Sequence, residues 1–232
     1  MSLASRLVAT LPENPPNLFN PWVTPCEYDH PSAGGGPDGR LERLERHLEC
    51  DAKVILVGEA CGYQGCRYSG IAFTSERLLM EGAIPRIAPP DDRLSVRPKP
   101  FSEPSATIVW KTLYKLGLAE GTVLWNALPL HPHRPGEPWS NRTPADGELV
   151  LGRDALVLLL EHFRGALVIA VGRKAELALT NIGLPFDAAV RHPANGGATA
   201  FAAGVSEAHA RWVSASGGRH VEGLKSKNPS RD

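Results

Sequence analysis

The stretch VILVGEACGYQGCRYSGIAF, Val54 to Phe73, decides how the rest of the chain is read. Its first four residues are apolar and rich in β-branching, the composition of a strand buried on both faces, as strands of parallel sheets are. The run stops at Gly58. Gly62, Gly65 and Gly70 then let the backbone turn sharply and approach a ligand, while Glu59, Tyr63 and Gln64 stay available as polar groups. In an open α/β sheet such a strand-to-turn junction places chemistry outside the C-terminal edge of the strands.

Upstream, Leu41, Leu44 and Leu48 recur at helical spacing among charges, which predicts a surface helix with Asp38 as its cap. Residues 1–37 are rich in proline and asparagine and read as a segment that wraps the core without much regular structure, anchored by Leu18, Phe19 and Trp22. Downstream, Thr74 to Met80 reads as a short helix. Six prolines between Ile84 and Pro104 exclude long regular elements there. Ile108, Trp110, Leu113, Tyr114 and Leu116 fit a helix ended by Gly117. The strand GTVLWNALP follows, with Asn126 at its end. Thr143 and Pro144 read as N-cap and N1 of a helix, with Asp146 at N3, running through Leu149, Leu156, Leu160 and Phe163.

ALVIAVG is a third strand, Lys174 to Leu179 a short helix, and FDAAV a fourth strand ending at Arg191 and His192. Phe201, Val205, Ala208 and Trp212 share one face of a last helix. This rhythm predicts the α/β class: a single-domain α/β/α sandwich around a mainly parallel four-stranded sheet, spanning residues 38–215. Residues 216–232 carry glycines and charges without apolar spacing and are expected to form a flexible tail.

Composition narrows the function classes. A chain of 232 residues can bury one substantial core, and with 42% apolar and 22% charged residues it has an ordinary globular composition. A formal charge of zero argues against a general polycationic binder and leaves only local phosphate contacts. The four cysteines, Cys26, Cys50, Cys61 and Cys66, show no disulfide framework, and the N-terminus reads as lacking a signal peptide. The expectation is a cytoplasmic, intracellular monomer with no membrane association.

Three strand ends carry usable chemistry: Glu59, Asn126 and His192. In a parallel sheet they converge on one edge although they are far apart in sequence. The same residues carry a resemblance. Gly58, Glu59, Ala60, Cys61 and Gly62, followed by Gly70 to Phe73, resemble the GEAPG motif and G-x-x-F element of the iron–sulfur branch of the uracil-DNA glycosylase superfamily. Asn126 with the NRTPADGEL segment from Asn141, and His192-Pro193-Ala194-Asn195, resemble that branch's second and third motifs. The matches span about residues 53 to 213.

The resemblance implies hydrolysis of the N-glycosidic bond of uracil in single- or double-stranded DNA to leave an abasic site. Phe73 would stack on the flipped pyrimidine, Asn126 would read its edge, and backbone groups of Ala60, Cys61 and Gly62 would complete the pocket. His192 would donate to the uracil O2 as charge builds on the leaving base, and Glu59 would orient water or stabilise the cationic sugar. Ser69, Arg134, Arg142, Arg191, Asn195 and Gly196 would meet DNA, with Arg173 and Lys174 nearby.

The departures from the pattern matter too. Ala60 stands where many members place an aspartate, so water activation falls to Glu59. The cysteine spacing does not supply four ligands for a [4Fe–4S] cluster, and no cofactor or metal is expected. A zinc site from Cys61, Cys66, His131 and His133 is an alternative of unusual spacing. Asn195-Gly196-Gly197 lacks an apolar wedge for opening a duplex. Two other readings stay open: a noncatalytic binder of damaged or abasic DNA, and a nucleotide- or phosphate-binding enzyme, which would lack the Walker lysine and the dinucleotide spacing.

Overall fold

The computed structural model describes residues 1–31 and 34–225, with residues 216–225 described as helical backbone alone. The N-terminal segment holds a short helix, α1 (Leu3–Val8), and a two-residue strand, β1 (Leu18–Phe19). It is thus more regular than its composition indicates, because the Ser2 side chain accepts the Ser5 N–H and caps the first turn. Leu18, Phe19 and Trp22 are buried, as the anchor reading requires.

Helix α2 (Gly36–Leu48) begins two residues before the expected cap. Gly35 is its N-cap, Pro37 lies in its opening turn, and Asp38 contributes a first-turn charge instead. Strand β2 (Val54–Ala60) runs past Gly58, so Glu59 and Ala60 belong to the strand itself. The glycine-rich turn leads to α3 (Cys66–Ser69) and α4 (Glu76–Met80). After the proline-rich segment come α5 (Pro104–Lys115), β3 (Thr122–Leu128) and β4 (His131–Pro132), the last paired antiparallel with β1.

Helix α6 (Asp146–Leu149) has Ala145 as its N-cap rather than Thr143, because the Glu148 carboxylate accepts the Ala145 N–H at 2.8 Å. A 3-10 turn, Val150–Gly152, separates it from α7 (Arg153–His162). Then follow β5 (Leu167–Val171), α8 (Arg173–Asn181), β6 (Ala188–Val190) and α9 (Ala198–Lys225). Helix α9 continues beyond Ser216, where the flexible tail was expected to start, and residues 226–232 lie outside the described residues.

The main sheet has the order β3-β2-β5-β6, every pair parallel. The sequence reading of an α/β/α sandwich around four strands therefore describes the observed architecture. Alternation along β2 explains the two layers. Ile55 and Val57 pack with Leu44, Leu156 and Leu179 in one core, whereas Val54 and Leu56 pack with Leu79, Trp110 and Phe201 in the other. Each such fully buried side chain contributes ~1.5–3 kcal/mol relative to exposure. Among the described residues no helix is long and apolar enough to cross a membrane.

Two polar devices hold this frame. The fully buried carboxylate of Glu76 accepts the N–H groups of Leu94, Ser95 and Phe101, the Ser95 hydroxyl and Arg93 Nε. One side chain thereby orders the proline-rich segment, whose backbone otherwise has, among the described residues, only a single bridge, Asp29 with Ser95, to the N-terminal segment. On the outer, β3 edge of the sheet, His47 Nε2 accepts the Leu124 N–H at 2.9 Å, satisfying a buried donor that no neighbouring strand takes up.

His47 and His131 are both fully buried, and burial holds each imidazole down at about 3. His131 accepts from Arg67 at Nδ1 and donates from Nε2 to the Ser140 carbonyl, an arrangement that needs the neutral ring. Both folded values lie below that of the unfolded chain, so unfolding takes up protons below pH 6.5. The stability they contribute is complete above that pH and falls as pH drops toward 3. Between pH 6.5 and 5 the loss is about 3 kcal/mol for the pair. Urea midpoints in a Glu59→Gln, Glu103→Gln background, which removes two carboxyls acting in the opposite sense, should fall across this window. A flat midpoint would contradict the assignment.

Candidate active site

The C-terminal ends of the strands open into a cavity of about 440 Å³. Because β2 and β3 pair with Gly58 opposite Asn126, the asparagine stands beside the one residue of β2 without a side chain. A Cβ on Gly58 would lie 2.5 Å from Asn126 Oδ1 and 2.8 Å from Phe73 Cζ. Glycine is required there so that the carboxamide and the aromatic ring can close around the backbone.

Asn126 is only 4% exposed, lines the cavity, and its carboxamide makes no hydrogen bond to any described residue. A buried amide left without protein partners stands ready for a ligand with complementary donors and acceptors. Phe73 lines the same cavity with φ at 49°, an unfavourable conformation for a bulky side chain. Its neighbour Thr74 fixes it there, donating to the Ala72 carbonyl and accepting from Trp110 Nε1 at 3.0 Å.

His192 follows β6, with its ring centroid 6.3 Å from that of Phe73. It packs against Gly172, the glycine that ends β5 at φ 88° and starts α8. The Ala194 N–H donates to His192 Nδ1 at 3.2 Å, so the neutral ring carries its proton on Nε2. Burial, reinforced by the positive charges of Arg191 and Lys174, holds the imidazole below its ordinary value. At neutral pH it is an uncharged donor.

Glu59 lines the cavity with Oε2 3.8 Å from Lys174 Nζ. Partial burial raises its carboxyl, and the lysine opposes that shift. Lys174 is itself steadied by donating to the Thr143 hydroxyl at 2.6 Å. Ala60, Gly62, Arg191 and Asn195 also line the cavity. Gly196, with φ 75°, continues the exposed loop beyond Asn195, and Arg134 lies open to solvent, paired with Glu137 at 3.0 Å.

Three residues expected at the site are engaged elsewhere. Ser69 is fully buried, with its hydroxyl donating to the Ile71 carbonyl and accepting the Ile71 N–H, so it locks a turn and is closed to phosphate. The Cys61 N–H donates to the Leu128 carbonyl, and its side chain lies in the apolar core, so neither faces the cavity. Arg142 makes two 2.7 Å bonds to Glu148 and one of 2.8 Å to the His133 carbonyl. That bidentate pair uses the fork a phosphate would need. His131 is buried, hydrogen-bonded between Arg67 and the Ser140 carbonyl.

Among the described residues no three His, Cys, Asp or Glu side chains are grouped so as to hold a metal ion. The zinc set of Cys61, Cys66, His131 and His133 is not assembled. The four cysteines likewise do not fit a four-thiolate cluster, since Cys26 bonds to Tyr68 and Cys50 lies across the molecule near His162. Glu103 also lines the cavity, and sequence reasoning missed it. It stands just before the Pro104 that opens α5, where an acidic residue reads as an ordinary helix-terminal charge.

Comparison with known proteins agrees with this geometry at the level of the family. Residues 46–230 match the Uracil DNA glycosylase superfamily. Wild-type SMUG2 of Pedobacter heparinus has a similar crystal structure, with a TM-score of 0.55 and 14% identity over 91% of this chain and 98% of that one. At that identity the likeness concerns the fold alone. No curated protein sequence matches. With the family match covering well over half of its length, the chain belongs to the uracil DNA glycosylase superfamily.

Proposed function

We propose that the protein is a monofunctional uracil-DNA glycosylase of the GEAPG-like branch that works without an iron–sulfur cluster, its substrate being uracil in DNA. The observation that carries this reading is the unpaired, nearly buried carboxamide of Asn126 in a cavity shared with Phe73 and His192. Uracil offers a donor at N3 and an acceptor at O4, and one carboxamide meets both. Phe73 stacks on the extruded ring.

The reaction adds water at the sugar C1′ and releases the base, which departs carrying negative charge as the sugar turns cationic. His192 Nε2–H donates to O2 and strengthens its bond as that charge builds, with no proton transfer needed beforehand. Glu59, ionised beside Lys174, faces the cationic sugar and orients the attacking water. Arg191, Asn195 and Gly196, with Arg134 farther out, meet phosphates at the rim.

The absence of a carboxylate at Ala60 keeps a second reading in view, a noncatalytic binder of damaged or abasic DNA. One experiment separates the two. Purified protein incubated with uracil-containing oligonucleotides, single-stranded and paired with G or A, should leave abasic sites that alkali cleaves. Tight binding of abasic DNA with no cleavable product from any uracil substrate would favour the binder.

A further inference from the structure

Glu103 is a second carboxyl in the cavity, and no element of the proposed chemistry so far uses it. Its surroundings are built for an acid without a counter-charge. Ser105 Oγ donates to its Oε1 at 2.5 Å, and no other described side chain is bonded to the carboxyl. It is the N-cap residue of α5, but its carboxyl accepts no backbone N–H of the helix. A Cβ on Gly65 would lie 1.9 Å from Glu103 Oε2 and 3.2 Å from the Thr74 carbonyl, so the carboxyl occupies the space that any other residue at 65 would fill. That places it near the backbone carbonyl of Thr74, the residue after Phe73.

The charged and titratable groups around it are distributed unevenly. Cys66 lines the cavity with it, the Cys61 thiol behind feels its charge, and neither cysteine is in a disulfide. Elsewhere around the cavity are Glu59, Arg173, Lys174, Arg191 and His192, and none of the basic ones is paired with it. A half-buried carboxylate with no cation beside it is costly to charge, which favours its protonated form. Desolvation accordingly raises the Glu103 carboxyl, with the Ser105 bond only partly opposing it.

We propose that Glu103 is a substrate-contacting residue, whose protonated carboxyl donates a hydrogen bond to a carbonyl oxygen of the extruded base. A neutral carboxylic acid in a water-poor site can stabilise a developing oxyanion as a backbone N–H does. The proposal rests on the reading of the cavity as a pocket for uracil. It adds a second donor to His192, on the Gly65 side, and it adds discrimination, because cytosine presents an amino group where uracil presents O4. Ionisation of Glu103 removes the donor and sets a negative charge against the departing anion, so excision should fall as pH rises through its folded value.

The test is the pH profile of single-turnover excision of uracil from a single-stranded oligonucleotide, for wild type, Glu103→Gln, Glu103→Leu and Gly65→Ala. The glutamine keeps a donor that does not titrate. It should stay within about ten-fold of wild type and lose the alkaline fall, while leucine should lower the rate by about 10²-fold at every pH. Gly65→Ala displaces the carboxyl with Glu103 intact and should act in the leucine direction, guarding against a folding defect in any one variant. An alkaline fall equal in wild type and Glu103→Gln, or full activity of Glu103→Leu, overturns the proposal while leaving uracil excision standing.

If wild type excises nothing, the glycosylase reading fails and the contact is judged by NMR titration with free uracil. Binding that weakens with rising pH in wild type but not in Glu103→Gln supports it. Absent or pH-independent binding sinks it.

Discussion

Replacing Asn126 with aspartate should collapse the ratio of uracil to cytosine excision by about 10²-fold or more. The proposed role of Asn126 rests on a carboxamide that is 4% exposed, lines the cavity and has no partner among the described residues. Uracil meets its oxygen with N3–H and its amide with O4. Cytosine reverses both, so a carboxamide held in the orientation that suits uracil is left with both groups facing like partners. Each unpaired group costs ~1–3 kcal/mol, which together yields discrimination of orders of magnitude. Ionised aspartate presents acceptors only. It loses the donor to O4 and gains a partner for the cytosine amino group, so uracil excision falls steeply. Cytosine excision stays low, because its ring is a poor leaving group. The measurement is the pair of single-turnover rates on matched single-stranded oligonucleotides. An unchanged ratio would mean that Asn126 only maintains its strand end and that base reading lies elsewhere, with Glu103 the next residue to examine.

The parts of this site visible in the sequence were those carried by strands. A run such as VILV is legible because burial on both faces needs continuous apolar residues, and a parallel sheet brings every strand end to one edge. Glu59, Asn126 and His192 meet at one cavity for that reason alone. Turn residues were less legible. Ser69 and Cys61 lie in the same glycine-rich stretch as Gly62, but composition does not say which way a side chain points in a turn. Ser69 folds back on Ile71, and the Cys61 amide reaches Leu128.

Long-range polar pairings were not legible at all. Nothing local connects Gly65 to Glu103, Glu76 to Leu94 and Phe101, or His47 to Leu124. Glu76 and His47 each satisfy backbone groups 18 to 77 residues away, and hydrophobic periodicity is silent about such contacts. Arg142 shows the converse. It lies in the segment that resembles the family motif, yet Glu148, six residues on, takes both arms of its fork.

His192→Ala should slow single-turnover uracil excision by about 10²-fold or more while leaving binding to abasic DNA nearly intact. The Ala194 N–H at Nδ1 fixes the donor on Nε2, and burial with Arg191 and Lys174 keeps the ring neutral. A neutral donor gains most where negative charge develops, so the loss belongs to the transition state and not to binding. The pH profile supplies the sign. His192 has a folded value below the ordinary one, so wild type should keep this donor neutral at pH values where an exposed histidine is already charged. Protonation lies further toward acid. Glu59 must stay ionised and is lost in the same direction as pH falls, its raised value placing that loss earlier. Glu59→Gln should therefore lower the rate and remove the carboxylate's share of the acid limb, leaving the His192 share in view. His192→Gln, with a donor on a longer arm, should recover a portion of the rate that alanine loses. Equal excision by wild type and His192→Ala at saturating enzyme would remove His192 from the chemistry, and the developing charge on the base would then fall to the remaining donor in the cavity, the Glu103 carboxyl.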